Sequence, residues 1–92
     1  MKAIHPGRIL KRELNSRGLS ANKLSLALSV PSGRITQIIN GKRGISAESA
    51  LRLSLYFGNS PEFWMNLQSR YELAITEKNL GDKIRSEVNH AA

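Results

Sequence analysis

Apolar residues recur along this chain at spacings of three and four, and no segment alternates with a period of two. The pattern therefore predicts helices and no strand. A first helix runs from about Pro6 to Arg17, with Ile9, Leu10 and Leu14 on its inner side and Gly18 as its stop. Ser20 caps a second, Ala21 to Leu28, and Ser32 caps a third, Gly33 to Asn40, with Gly41 behind it. Ser46 caps a fourth, Ala47 to Phe57, with Glu48 in its first turn, where the helix dipole favours an acid. Ser60-Pro61-Glu62 opens the fifth and longest. Its apolar face is Phe63, Trp64, Leu67, Tyr71, Ala74 and Ile75. Gly81 is expected to end or bend it, Ile84 and Val88 extend it weakly, and the last residues fray. The expected architecture is one all-α domain of five helices over residues 1–92, with a close pair of short helices at about 20–41 and a longer C-terminal helix and extension at about 60–92.

The segment Gly18 to Arg43 stands out. Leu24, Leu28, Val30, Ile35 and Ile38 form an apolar seam, interrupted by the breaker Ser29-Val30-Pro31-Ser32. Outside the seam lie Ser32, Arg34, Thr36, Gln37, Asn40, Lys42 and Arg43. Two short helices joined in this way, with a polar and basic outer face, suit insertion of the second helix into a DNA major groove. Ser25 is small enough for the helices to cross, and Ser29 is strained if its turn needs a positive φ. Arg34 can donate twice to guanine and Gln37 can pair with adenine. They lie three residues apart, near one helix face.

Charge sharpens this reading. The formal net charge is +7. Up to Arg52, ten basic residues meet only Glu13 and Glu48, a net +8. From Leu53 onward four basic residues meet five acidic ones, a net −1. The basic excess coincides with the helix pair, as expected of a surface that binds a polyanion. There is no cysteine, which excludes a disulfide framework and thiol metal sites. No apolar run approaches a membrane span or a signal peptide, so a soluble cytoplasmic protein without a membrane partner is expected. His5 and His90 lie at opposite ends, and no metal spacing, phosphate loop or nucleophile–base pair occurs. No catalysis, metal or cofactor is expected, and His5 before Pro6 reads as a helix-start residue.

The blocks His5-Pro6-Gly7, Leu19-Ser20-Ala21, Asn40-Gly41-Lys42-Arg43, Ala50-Leu51-Arg52-Leu53 and above all Ser60-Pro61-Glu62-Phe63-Trp64-Met65-Asn66-Leu67-Gln68 resemble the HigA-type antitoxins of the XRE (lambda-repressor-like) helix-turn-helix family. The resemblance covers roughly residues 5–75. It departs at Arg8, where the family often has an acid, and at Ser25 and Ser29, where such motifs usually have alanine and glycine. It implies a homodimer that binds operator DNA, represses its own operon and neutralises a RelE-like, mRNA-cleaving toxin. The alternative is a stand-alone dimeric repressor without a toxin. By similarity, Ser32, Gly33, Arg34 and Gln37 occupy base-reading positions, and Asn22, Lys23, Asn40, Lys42 and Arg43 occupy phosphate-contact positions. The aromatic face of helix five either covers the small core or pairs with a second copy, which makes Phe63, Trp64 and Leu67 the expected dimer contacts. Helix one and the tail after Ile75 are the candidate toxin-binding segments.

Overall fold

The computed structural model of the chain describes residues 2–91, and among them five helices form with no strand. They are α1 (Pro6–Arg17), α2 (Ala21–Leu28), α3 (Arg34–Ile39), α4 (Ala47–Phe57) and α5 (Pro61–Glu87). Four of the five starts follow directly from local chemistry. Oγ of Ser20, Ser46 and Ser60 accepts the backbone N–H of Lys23, Ser49 and Phe63 respectively, each satisfying a donor that the first helical turn leaves free. His5 does the same for α1, its Nδ1 accepting the Gly7 N–H at 2.9 Å. Partial burial lowers the pKa of this imidazole, in keeping with an acceptor nitrogen that must stay unprotonated.

The start of α3 differs from expectation. Its cap residue is Gly33, which makes no side-chain cap bond, and Ser32 lies outside the helix in the preceding turn. The Ser32 carbonyl instead accepts Oγ of the buried Ser25 at 3.4 Å, tying the turn back to α2. That turn also places Ser29 at φ 57°, in the left-handed region, which costs a non-glycine residue roughly 1–2 kcal/mol.

The core consists of Leu10 and Leu14 from α1, Leu24 and Leu28 from α2, Ile35 and Ile38 from α3, Ile45, and Ala50, Leu53 and Trp64 from α4 and α5. Val30 packs at its edge, and Ile9 is only partly buried. Trp64 is wholly enclosed, its ring 5.8 Å from that of Phe57 and its Nε1 donating to Asn59 Oδ1 at 3.0 Å. The predicted apolar face of α5 therefore splits. Trp64 and Ala74 are buried, Leu67, Tyr71 and Ile75 are partly buried, and Phe63 is 43% exposed.

Gly81 does not end α5, which continues to Glu87, and residues 88–91 are not helical. One glycine costs a helix about 1 kcal/mol, too little to stop it when neighbours hold it together. Here Arg85 bridges back over Gly81, donating to Asp82 at 2.9 Å and to Glu77 at 2.6 Å. At 27 residues the helix spans about 40 Å, and its last turns run beyond the core, so the molecule is elongated at 52 × 22 × 22 Å.

α1 comes close to α3 at Gly7. A Cβ built on Gly7 would overlap the backbone carbonyl of Ile38, which cannot move without disturbing α3. Gly7→Ala is expected to destabilise the protein by about 1–3 kcal/mol in urea unfolding. Gly33→Ala, at φ −87° with open space around the new methyl, should change stability by less than about 0.5 kcal/mol.

A candidate nucleic-acid interface on α2 and α3

With Ile35 and Ile38 turned into the core, helical geometry fixes the rest of α3. Gly33, Thr36, Gln37 and Asn40 are exposed on its outer face, with Ser32 just before them. Arg34 lies on the flank toward α4. Its side chain is only 18% exposed, and its Nη1 donates to Glu48 Oε1 at 3.3 Å. Of the expected base-reading residues, Ser32, Gly33 and Gln37 thus share one open surface, and Arg34 borders it with an acidic partner that spacing alone did not reveal.

The expected phosphate-contact residues frame that surface. Asn22 and Lys23 are exposed in the first turn of α2, and Asn40, Lys42 and Arg43 are exposed where α3 ends. The loop after α3 is ordered rather than free. The N–H groups of Lys42 and Arg43 both donate to the Gln37 carbonyl, at 2.9 and 3.2 Å, and Arg43 Nε donates to the Gln37 side-chain oxygen at 3.0 Å. Arg43 therefore steadies one end of the Gln37 amide, and the NH2 group has no partner among the described residues.

Sequence reasoning missed the residue that anchors this loop. Gln68 of α5 is buried, and its Oε1 accepts the N–H of Ile45 at 2.8 Å. Its Nε2 donates to Glu72 at 3.1 Å. A Cβ on Gly44 would strike the same amide, so a glycine and a glutamine fit together there. A polar residue one turn from Trp64, on an otherwise apolar face, was the available signal.

The electrostatics favour an anion. Of the ten basic residues before Leu53, only Arg17, Arg34 and Arg52 are ion-paired among the described residues. Arg8, Lys11 and Arg12 line an open groove on α1 with Asn15 and with Ile39 of α3, extending the unpaired positive surface beside the outer face of α3. No group of histidines and acids among the described residues is placed to hold a metal ion. No helix among them is long and apolar enough to cross a membrane.

A short helix with an amide-bearing outer face, set across a second helix and ringed by free cations, is the geometry of a helix-turn-helix reader. The family model described as Helix-turn-helix, HTH_3, matches residues 10–64. The chain belongs to the helix-turn-helix family. Within that family it is similar to virulence-associated protein I of Dichelobacter nodosus, 48% identical over 80 residues, covering 86% of this chain and 74% of the relative. An addiction module antidote protein of the HigA family from Coxiella burnetii superposes with a TM-score of 0.95 at 47% identity, covering 99% of this chain and 100% of the other. The Pseudomonas aeruginosa antitoxin HigA, solved with the higBA promoter, gives 0.95 at 41% identity, with coverage of 99% and 100%. The structural neighbours of this helix-turn-helix chain are thus HigA-family antitoxins, and they share its all-helical architecture.

The Gln68 anchor can be tested directly. Gln68→Leu leaves the Ile45 N–H buried without an acceptor and should cost about 1–3 kcal/mol in urea unfolding. Hydrogen exchange at Ile45 should quicken more than at Leu24, which lies in the core away from the loop.

Proposed function

We propose that this chain is a DNA-binding antitoxin that represses its own operon as a dimer and neutralises a RelE-like, mRNA-cleaving toxin. The observation that carries the DNA half is the open outer face of α3, flanked by cations that have no ion-pair partner among the described residues. A similar antitoxin solved with promoter DNA supports it. In this reading Gln37 pairs with adenine and Arg34 with guanine. Ser32 and Gly33 bring the start of α3 close to the base edges. Asn22, Lys23, Asn40, Lys42 and Arg43 hold phosphates on either side and fix the register.

The dimer places two copies of α3 about 34 Å apart, one turn of DNA, so that each enters a major groove on the same side of the duplex. Large apolar residues left in solvent on α4 and the start of α5 support a self-contact: Leu51, Tyr56 and Phe63 are exposed, and Leu55 is 85% exposed. Trp64 has no surface left for a partner, so it backs this patch from within, and Leu67 offers only a partial edge. The toxin half rests on the likeness to HigA-family antitoxins. A toxin acting on mRNA implies cytoplasmic action.

Two substitutions separate the DNA roles. Gln37→Ala should weaken binding to the cognate operator by roughly 1–3 kcal/mol, with a smaller loss on random duplex. Lys42→Ala should weaken both equally and flatten the salt dependence by about one unit of slope. Fluorescence anisotropy over a salt series reads both. Equal losses for Gln37→Ala on both duplexes would remove it from base reading.

The antitoxin role is tested by co-expression. The gene beside this one is induced with and without this chain, and growth and mRNA integrity are followed. Toxicity with mRNA cleavage, relieved by this chain, is expected. A harmless neighbour, or one still lethal in its presence, leaves a stand-alone repressor.

A further inference from the structure

The acid Glu48 is a foreign element in a surface that is otherwise basic. It and Glu13 are the only acids before Leu53, and Glu13 is paired with Arg17 on α1. Glu48 sits in the first turn of α4 and faces two arginines at once. Its Oε1 accepts Arg34 Nη1 at 3.3 Å, and its Oε2 accepts Arg52 Nη2 at 3.4 Å. Arg52 is held in turn, its Nη1 donating to the carbonyl of Leu28 at the end of α2 at 2.9 Å. A continuous chain of contacts therefore runs from the end of α2, through α4, to the first residue of α3.

Such a chain does little for stability, because Glu48 is 60% exposed and solvent screens both pairs. Its effect is on direction. An arginine side chain carries four rotatable bonds and loses considerable entropy when fixed. With Nη1 held by Glu48, the edge formed by Nε and Nη2 has no partner among the described residues. That edge presents two parallel donors, which match O6 and N7 of guanine. We propose that Glu48 is a positioning residue that presents Arg34 to a guanine in the operator, so that an acid on the DNA side of the protein raises sequence preference at the expense of non-specific affinity. This rests on the DNA-binding reading above.

The two effects of Glu48 have opposite signs, which makes the test sharp. Its carboxylate repels phosphates, so removing it should leave random-DNA binding unchanged or tighter. Removing it also frees Arg34, so operator binding should weaken. The experiment first selects a preferred duplex from a random pool with the wild-type chain. It then measures binding of that duplex and of a scrambled one by wild type, Glu48→Ala, Arg34→Ala and the double variant, at one salt concentration. Glu48→Ala is expected to lower the ratio of preferred to scrambled affinity about tenfold, with the scrambled duplex bound at least as well as before. In the Arg34→Ala background, the same change should leave that ratio within about twofold. Selection repeated with Glu48→Ala should lose a guanine that wild type requires.

Glu48→Gln keeps the shape and an acceptor oxygen. It should lower the ratio about threefold, and it carries the test if the alanine variant melts early. An unchanged ratio in Glu48→Ala and Glu48→Gln overturns the proposal. So does an equal fall with and without Arg34, because Glu48 would then act through the fold or the general field. If the wild-type chain selects no sequence and binds no duplex, the DNA-binding reading itself fails, which is a separate outcome.

Discussion

A six-residue helix cannot stand alone. Helix nucleation is unfavourable, and segments well below about 12 residues are marginal in water even with good helix formers. α3 is six residues long, carries isoleucine at three positions and has no side-chain cap. It exists because Ile35 and Ile38 are buried in the common core, where α3 packs chiefly against α1 and α2. Most of the structure is arranged to hold this piece from outside. Gly7 lets α1 approach its backbone, Ser25 binds the turn before it, and Gln68 fixes the loop after it. The outer face then contributes little to the core, and apart from the Gln37 contact with Arg43 its residues are free to be chosen for contact with a ligand. The shortness of the helix and the polarity of its surface are thus two sides of one constraint.

Much of this was legible in the sequence, because it depends on neighbours along the chain. The serine caps at Ser20, Ser46 and Ser60 and the glycine stops at Gly18 and Gly58 are short-range hydrogen-bond chemistry, and the helices begin and end there. The seam Leu24, Leu28, Ile35 and Ile38 is a period of 3.6 interrupted once, and all four are buried. What was not legible depends on partners far apart in sequence. Arg34 and Glu48 are 14 positions apart, Ile45 and Gln68 are 23 apart, and Arg52 and Leu28 are 24 apart. Periodicity could not separate Phe63 from Trp64 either. Adjacent residues differ by 100° around a helix, and the packing of Trp64 into the core beside Phe57, with its bond to Asn59, settles which ring turns inward. At Gly81 a local rule failed because one glycine costs a helix only about 1 kcal/mol, too little to stop a helix of 27 residues.

The charges also read differently once paired. In sequence the C-terminal part offers five acids, which suggests a surface for a basic partner. In the fold, Glu77 and Asp82 are engaged by Arg85, and Glu72 accepts from Gln68. The last turns of α5 are nearly balanced, with Glu77, Asp82 and Glu87 beside Lys78, Lys83 and Arg85. Long-range attraction of a basic protein is therefore weaker there than the simple count implies. Among these balanced charges Leu80, Ile84 and Val88 are also exposed. Recognition at that end would proceed by burial of apolar area, with little dependence on salt. Recognition on α2 and α3 would proceed by phosphate neutralisation, with strong dependence on it.

That contrast bears on how one small chain could serve two ligands. Where two ligands compete for the same cations, binding one excludes the other. Where they use separate elements, the coupling between them is limited to what the intervening structure transmits, and it acts equally in both directions. Here the connection between α5 and the α3 loop is specific: Gln68 holds Ile45, and Glu72 holds Gln68, one turn further along the same helix. A ligand that displaced Glu72 would loosen the amide that anchors the loop carrying Lys42 and Arg43. A ligand on the last turns beyond Ala74 would leave that anchor alone. Whether a second partner affects DNA binding is therefore decided by where on α5 it sits relative to Glu72.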